Sequence, residues 1–250
     1  FGAYVIAQTY LLYANTFQSA LVVSPMMTAV PAEAQADRQR LLRGFFGYML
    51  LVLLATAVGV QGLAALLGHW VPTLSLGALA LPLAAAMAAF QLQDWLRRTL
   101  YVRTANRLVF LADAVAYGGQ LGMLAFLAAT GRLTPALALW TMAGSFLAAA
   151  VLMALLTRLL PHPGSTVAVI RQHWRASRDF LASWQFQWVA SSGVILLGSG
   201  YVGVQAAGAI KAVQNLLGPV NVFFQWMDNV VPVRATQRYR QGGVHALTNY

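Results

Sequence analysis

The chain of 250 residues contains no cysteine and very little negative charge. Without cysteine it has no disulfide framework, no thiol nucleophile and no thiolate metal site. Aspartate and glutamate together number six, and charged residues make up only 9% of the chain. Soluble domains carry about 25% charged residues. The composition therefore argues against an ordinary soluble domain.

Apolar residues are abundant instead, at 59% of the chain, and the mean hydropathy is +0.64. Since a membrane helix needs about 20 mainly apolar residues, the sequence predicts an all-α, polytopic membrane protein with about seven transmembrane helices. We expect a first lobe over residues 1–160, a cytoplasmic connection over 161–178 and the start of a second lobe over 179–250. The predicted spans are 4–30, 45–67, 76–96, 108–130, 136–156, 180–197 and 203–231.

The basic residues give a formal net charge of +10, and their positions argue against nucleic-acid binding. Fourteen of the sixteen lie in four clusters between apolar spans, at every second connection, which is the positive-inside pattern. Anionic lipid headgroups favour such clusters on the cytoplasmic side. The clusters are Arg38, Arg40 and Arg43; Arg97, Arg98, Arg103 and Arg107; Arg158, Arg171, Arg175 and Arg178; and Arg234, Arg238 and Arg240.

The last predicted span is two-sided. At about 100° per residue, its polar side chains fall within an arc of roughly 140°, and apolar residues such as Val220 and Phe224 lie opposite. Polar groups inside a membrane usually face a bundle interior or a wet cavity, where they mark a substrate or ion path. This pattern predicts a helix that lines a transport cavity. The polar residues are Lys211, Gln214, Asn215, Asn221, Gln225, Asp228 and Asn229.

The first predicted span carries a smaller polar face, formed by Gln8, Asn15 and Gln18. Two interpretations stay open for these residues. They line the same cavity, or they form hydrogen bonds between helices, which contribute about 1 kcal/mol or less each in membranes.

Three carboxylates lie near predicted cytoplasmic ends. The spacing of Asp94 predicts ion pairs with Arg97 and Arg98 along one helix. Asp113 is expected to pair with Arg107 or with an arginine of the previous helix, or to hold a coupling proton or cation. For Asp228 we favour pairing with Arg234 over a role in ion coupling.

The sequence offers little for enzymatic chemistry. No metal-binding motif is present, and the predicted external turns contain only His69 and Arg132 as reactive candidates. Catalysis needs positioned acids, bases or metal ligands. We therefore expect no catalytic residue, no metal and no cofactor.

The segment GYVGVQAAGAIKAVQNLLGPVNVFFQWMDNVVP, preceded by HWRASRDFLAS, resembles the start of the second half of bacterial polysaccharide flippases. These belong to the multidrug, oligosaccharidyl-lipid and polysaccharide exporter superfamily. The order of spans and the long connection after Leu160 fit as well. The resemblance implies a two-lobe transporter of twelve to fourteen helices, of which this chain would be a fragment containing helices two to eight.

The resemblance also implies a function: an oligosaccharide on a polyprenyl pyrophosphate is flipped across the bacterial inner membrane for polysaccharide or O-antigen export. Lys211 would then contact the pyrophosphate or sugar anions, and Asn215, Asn221, Gln225 and Asn229 would bond sugar hydroxyls. Expected partners are membrane lipids and the polysaccharide polymerase and ligase machinery. The alternative is a cation-coupled multidrug exporter of the same fold. A membrane-embedded glycan ligase or glycosyltransferase is less favoured.

Overall fold

The computed structural model describes residues 2–70, 76–190, 220, 223–224, 227 and 230–240, and these are all-helical apart from short turns. The helices are α1 (Gly2–Gln18), α2 (Ser24–Ala32), α3 (Gln35–Trp70), α4 (Leu76–Val102), α5 (Asn106–Asp113), α6 (Gly119–Ala129), α7 (Pro135–Thr157) and α8 (Pro163–Trp188). Residues 230–240 form a further helical segment. The all-α prediction is confirmed for this part of the chain.

Three stretches of these helices are long and apolar enough to cross a membrane. They are Asp37–Gly59 in α3, Asn106–Ala129 through α5 and α6, and Pro135–Thr157, which is α7. They overlap the second, fourth and fifth predicted spans. The structure is therefore compatible with a membrane protein, and the remaining predicted spans stay predictions.

A π-helical segment, Ser19–Val23, joins α1 to α2 without a break. Pro25 follows directly, and proline has no N–H to donate to the carbonyl four residues earlier. That carbonyl belongs to Leu21, and it accepts a 2.8 Å hydrogen bond from the Ser177 hydroxyl of α8. The Ser177 hydroxyl thus donates to a carbonyl oxygen that cannot accept a hydrogen bond from Pro25.

The start of α8 packs tightly against the first half of α3, where two glycines leave room for it. A Cβ on Gly44 would lie 2.5 Å from Val169 Cγ2 and 2.6 Å from the Ser165 carbonyl oxygen. A Cβ on Gly47 would overlap the Thr166 hydroxyl. Small residues permit this kind of close backbone approach in membrane helices. Residues 44–47 of α3, with the sequence GFFG, therefore form the surface on which α8 packs.

Two boundaries differ from the sequence prediction. The residues that precede the second predicted span belong to the same helix as that span, because α3 begins at Gln35 and runs on into the apolar stretch. Likewise α8 continues from Pro163 to Trp188, so most of the predicted connection and the start of the sixth predicted span form one continuous helix. Arginine and glutamine are good helix formers, and Gly44 at the first junction lies inside α3.

The buried core is centred on α4, which packs against both α3 and α7. Phe46 stacks on Trp95 with ring centroids 4.8 Å apart and planes 10° apart. Phe146 of α7 contacts Phe90 edge-on at 5.3 Å. Helix α7 begins after Thr134, whose hydroxyl accepts a bond from the Leu137 N–H, and Pro135 occupies its first turn as expected. This core fixes the helices that carry the polar groups described next.

Candidate functional site

Gln18, a predicted site residue, takes part in a buried polar cluster that joins three helices. Its side-chain Nε2 donates to the Gln91 carbonyl oxygen at 2.7 Å. Gln91 Nε2 donates in return to the Ala14 carbonyl oxygen at 3.2 Å, and the Thr56 hydroxyl donates to Gln91 Oε1 at 3.1 Å. Gln18 and Gln91 are both fully buried. For Gln18 the arrangement is the helix-to-helix hydrogen bonding that the sequence left open.

Two acceptors in this region have no hydrogen-bond partner among the described residues: Asn15 Oδ1 and Gln18 Oε1. A buried polar group without a partner costs about 1–3 kcal/mol. Asn15 and Gln8 are both half-buried. The polar face of α1 thus contains two buried acceptors that the described helices leave without a hydrogen bond.

An apolar cleft lies between α1 and α3, with a volume of about 390 Å³. Three aromatic rings of α1 form one wall, and aliphatic residues of α3 form the other. The volume is within the range of small-molecule sites, about 300–1,000 Å³. The lining residues are Tyr10, Tyr13, Ala14, Phe17, Leu21, Val52, Ala55, Thr56 and Gly59. This cleft does not contain Gln8, Asn15 or Gln18, so the structure separates the apolar space from those polar residues.

Tyr13 also contacts α8 at the far end of that helix. Its ring centroid lies 4.5 Å from that of Trp188 and 5.2 Å from that of Phe17. The contact brings the aromatic wall of the cleft against the start of the sixth predicted span.

Asp113, the other described candidate, belongs to an ion-pair network between α4 and α5. Arg97 lies 2.8 Å from Asp94 and 3.6 Å from Asp113, and Arg98 lies 2.9 Å from Asp94. Gln93 Nε2 donates to Asp113 Oδ1 at 3.2 Å. Asp94 is 2% exposed, whereas the Asp113 side chain retains 27% exposure. Asp113 therefore pairs with an arginine of the previous helix, one of the two partners expected for it.

The other predicted site residues lie outside the described part of the chain: Lys211, Gln214, Asn215, Asn221, Gln225, Asp228 and Asn229. Within the same predicted span, six apolar positions are described, and they fall on one side of a helix. Val230 is half-buried, and the other five are exposed at 37–58% of their surface. They are Val220, Phe223, Phe224, Met227 and Val231.

Several residues that organise this region were not singled out from the sequence. Gln91 and Thr56 have no motif around them, and only the three-dimensional packing shows that they meet. Ser177 is one serine of a polar connection, yet it is fully buried. The spacing of Gly44 and Gly47 was a readable signal, because small residues at short intervals in an apolar helix favour close packing.

Among the described residues, no group of three or more acidic or histidine side chains could hold a metal ion. Comparisons with family models, with curated proteins and with solved structures gave no match. The evidence on function therefore comes from the residues themselves.

Proposed function

We propose that this chain is part of a membrane transporter that flips a polyprenyl-pyrophosphate-linked oligosaccharide across the bacterial inner membrane by alternating access. Such a substrate has an anionic pyrophosphate, a hydroxyl-rich glycan and a long hydrocarbon tail. A protein that moves it needs polar groups inside the membrane for the first two and apolar surface for the third.

The observation that carries the proposal is the two-sided character of the seventh predicted span. Five of its six described apolar positions, among them Val220 and Phe224, are exposed as lipid-facing residues would be. On the opposite side of the predicted helix the sequence has one cation, Lys211, and a set of amides. An ammonium group binds phosphate as a point charge, and amides bond hydroxyl groups. The composition of that side matches the head of the proposed substrate.

One feature of the described helices adds support. The cleft between α1 and α3 is lined by aromatic and aliphatic side chains, and Leu51, Leu54 and Val58 of α3 are exposed at 52–64%. A hydrocarbon chain of a lipid suits such a surface.

The cation-coupled exporter is the weaker candidate because of the pairing of Asp113. A coupling carboxylate must exchange its proton or cation during transport, but the charge of Asp113 is already met by Arg97 at 3.6 Å. Proton exchange at Asp113 would require the two side chains to separate.

Deleting the gene in its host and complementing the deletion with variants tests the proposal. We expect loss of the gene to remove surface polysaccharide and to accumulate lipid-linked oligosaccharide inside the cell. Lys211→Ala should fail to restore the surface polymer at normal protein levels, and Phe224→Leu, a control on the apolar side of the same span, should restore it. Normal surface polymer in the deletion strain, with no second copy of the gene, would contradict the proposal.

A further inference from the structure

The first half of α8 presents three arginines on one exposed face. Arg171, Arg175 and Arg178 are four and three residues apart, so they fall within an arc of roughly 60° at about 100° per residue. All three are exposed. Arg178 has a loose contact of 3.4 Å with Asp179, in which both side chains remain more than 60% exposed.

Apolar side chains accompany the arginines on this face. Trp174 is 50% exposed and Val167 is 67% exposed, although both belong to a helix whose other side is well packed. A helix that combines arginines with an exposed tryptophan is typical of the membrane–water interface. Neither side chain is used by the contacts that hold α8 in place.

The opposite face of α8 fixes the depth of these residues. It rests on Gly44 and Gly47 of α3, and His173 contacts Phe45 with ring centroids 5.3 Å apart. This is the turn of α3 that directly follows Arg43 and begins its uninterrupted apolar sequence. Because basic residues meet apolar ones at the headgroup level of a bilayer, the arginine face of α8 stands at that level.

We propose that Arg171, Arg175 and Arg178, together with Trp174, bind the phosphate groups of anionic phospholipids in the cytoplasmic leaflet. Arginine forms paired hydrogen bonds with phosphate oxygens, and Trp174 inserts its ring between the acyl chains beside the glycerol. This inference depends on the chain being in a membrane and not on what it transports. It gives the exposed face of α8 a partner of complementary charge.

Lipids with bromine atoms on the acyl chains test the proposal, because bromine quenches nearby tryptophan fluorescence. The full chain in detergent is titrated with brominated phosphatidylglycerol or brominated phosphatidylcholine, and the Trp174 signal is the difference between the unmodified protein and Trp174→Phe. Each arginine near an anionic surface contributes about 1 kcal/mol, or about fivefold in affinity. We expect the Trp174 signal to respond to phosphatidylglycerol at a concentration on the order of 100-fold lower.

A triple variant, Arg171→Gln, Arg175→Gln and Arg178→Gln combined, distinguishes lipid binding by this face from attraction by the net positive charge of the protein. It should reduce the preference for phosphatidylglycerol to a few-fold. A matched control removes the same charge from exposed arginines elsewhere, at Arg40, Arg107 and Arg158, and should keep the preference. Equal quenching by both lipids, no quenching of Trp174 by either, or the same loss in both triple variants would overturn the proposal.

Discussion

The hydroxyl of Ser177 donates a 2.8 Å hydrogen bond to the carbonyl of Leu21, 156 residues earlier in the chain. Pro25, four residues after Leu21, has no N–H to donate to that carbonyl. The bond links α8, which carries the chain out of the first predicted lobe, to the first predicted span. The coupling between a helix defect and a distant side chain can be measured directly.

We expect Ser177→Ala to lower the free energy of unfolding by about 1–2 kcal/mol, because it leaves a buried carbonyl without a donor. In a Pro25→Ala background the backbone N–H of residue 25 can serve Leu21, so the same substitution should cost much less. Reversible unfolding of the four proteins in mixed micelles gives the coupling energy. A coupling near zero would show that the two features are independent.

Gly47→Ala should destabilise the contact between α3 and α8, since its methyl group would overlap the Thr166 hydroxyl. We expect a loss of about 1–3 kcal/mol, as for other overpacking changes. Gly62→Ala in the same helix is the control, because a Cβ there meets nothing within 4 Å and alanine favours the helix. Thermal unfolding in detergent compares the two. Equal midpoints would contradict the close packing.

Asp94→Asn and Asp113→Asn should differ strongly. Asp94 balances Arg97 and Arg98 in a buried position, and breaking such a buried pair costs about 3–5 kcal/mol. Asp113 is more exposed and more distant from Arg97, so we expect about 1 kcal/mol or less. Protein yield and unfolding in detergent measure both effects.

The same Asp113→Asn variant also separates the two candidate functions. If the protein is a flippase that does not use this carboxylate for coupling, surface polysaccharide should be restored by the variant. Loss of a proton- or sodium-dependent export activity, with the protein folded and present at normal levels, would instead favour the cation-coupled exporter.

Gln18 and Asn15 lie three residues apart on α1, yet their replacement should have opposite effects on stability. Gln18→Leu removes the donor to the Gln91 carbonyl oxygen and should destabilise the fold by about 1 kcal/mol. Asn15→Leu removes an unpartnered buried oxygen and should leave stability unchanged or raise it. If Asn15 serves the substrate, Asn15→Leu should nevertheless impair export. Full export activity with Asn15→Leu would remove Asn15 from the site.

His173 gives a pH dependence of stability. Burial of its ring lowers the pKa of His173 in the folded protein, so folding disfavours the charged form. Stability is therefore highest above the ordinary pKa of histidine, about 6.5, and falls as the pH drops below it. His173→Phe keeps a ring against Phe45 but cannot titrate. We expect it to match the unmodified protein at pH 8 and to be the more stable of the two at pH 5.

The sequence predicted some of these relationships because they are local. The ion pairs of Asp94 follow from a spacing of three and four residues within one helix, and the bounds of α7 follow from Pro135 and an unbroken apolar run. The fourth predicted span, 108–130, matches α5 and α6, which a second π-helical segment, Ala114–Gly118, joins without a break.

What the sequence could not predict depends on contacts between distant helices. The bond from Ser177 to Leu21 and the cluster of Gln18 with Gln91 involve residues 156 and 73 positions apart. Nothing in the local pattern marks Gln91 as a partner of Gln18. The sequence also assigned residues 161–178 to a connection between the lobes, whereas Pro163 occupies the first turn of a helix that continues to Trp188.

Helix α8 is continuous from its contact with Gly47 to the aromatic rings of α1. From Thr166, against Gly47, to Trp188, beside Tyr13, it covers 22 residues, or roughly 33 Å at 1.5 Å per residue. A tilt of about 10° around Thr166 would displace Trp188 by roughly 6 Å, the width of one ring. Arg171, Arg175 and Arg178 lie between these two points, so such a tilt would move the arginine face and the aromatic wall of the cleft in the same direction.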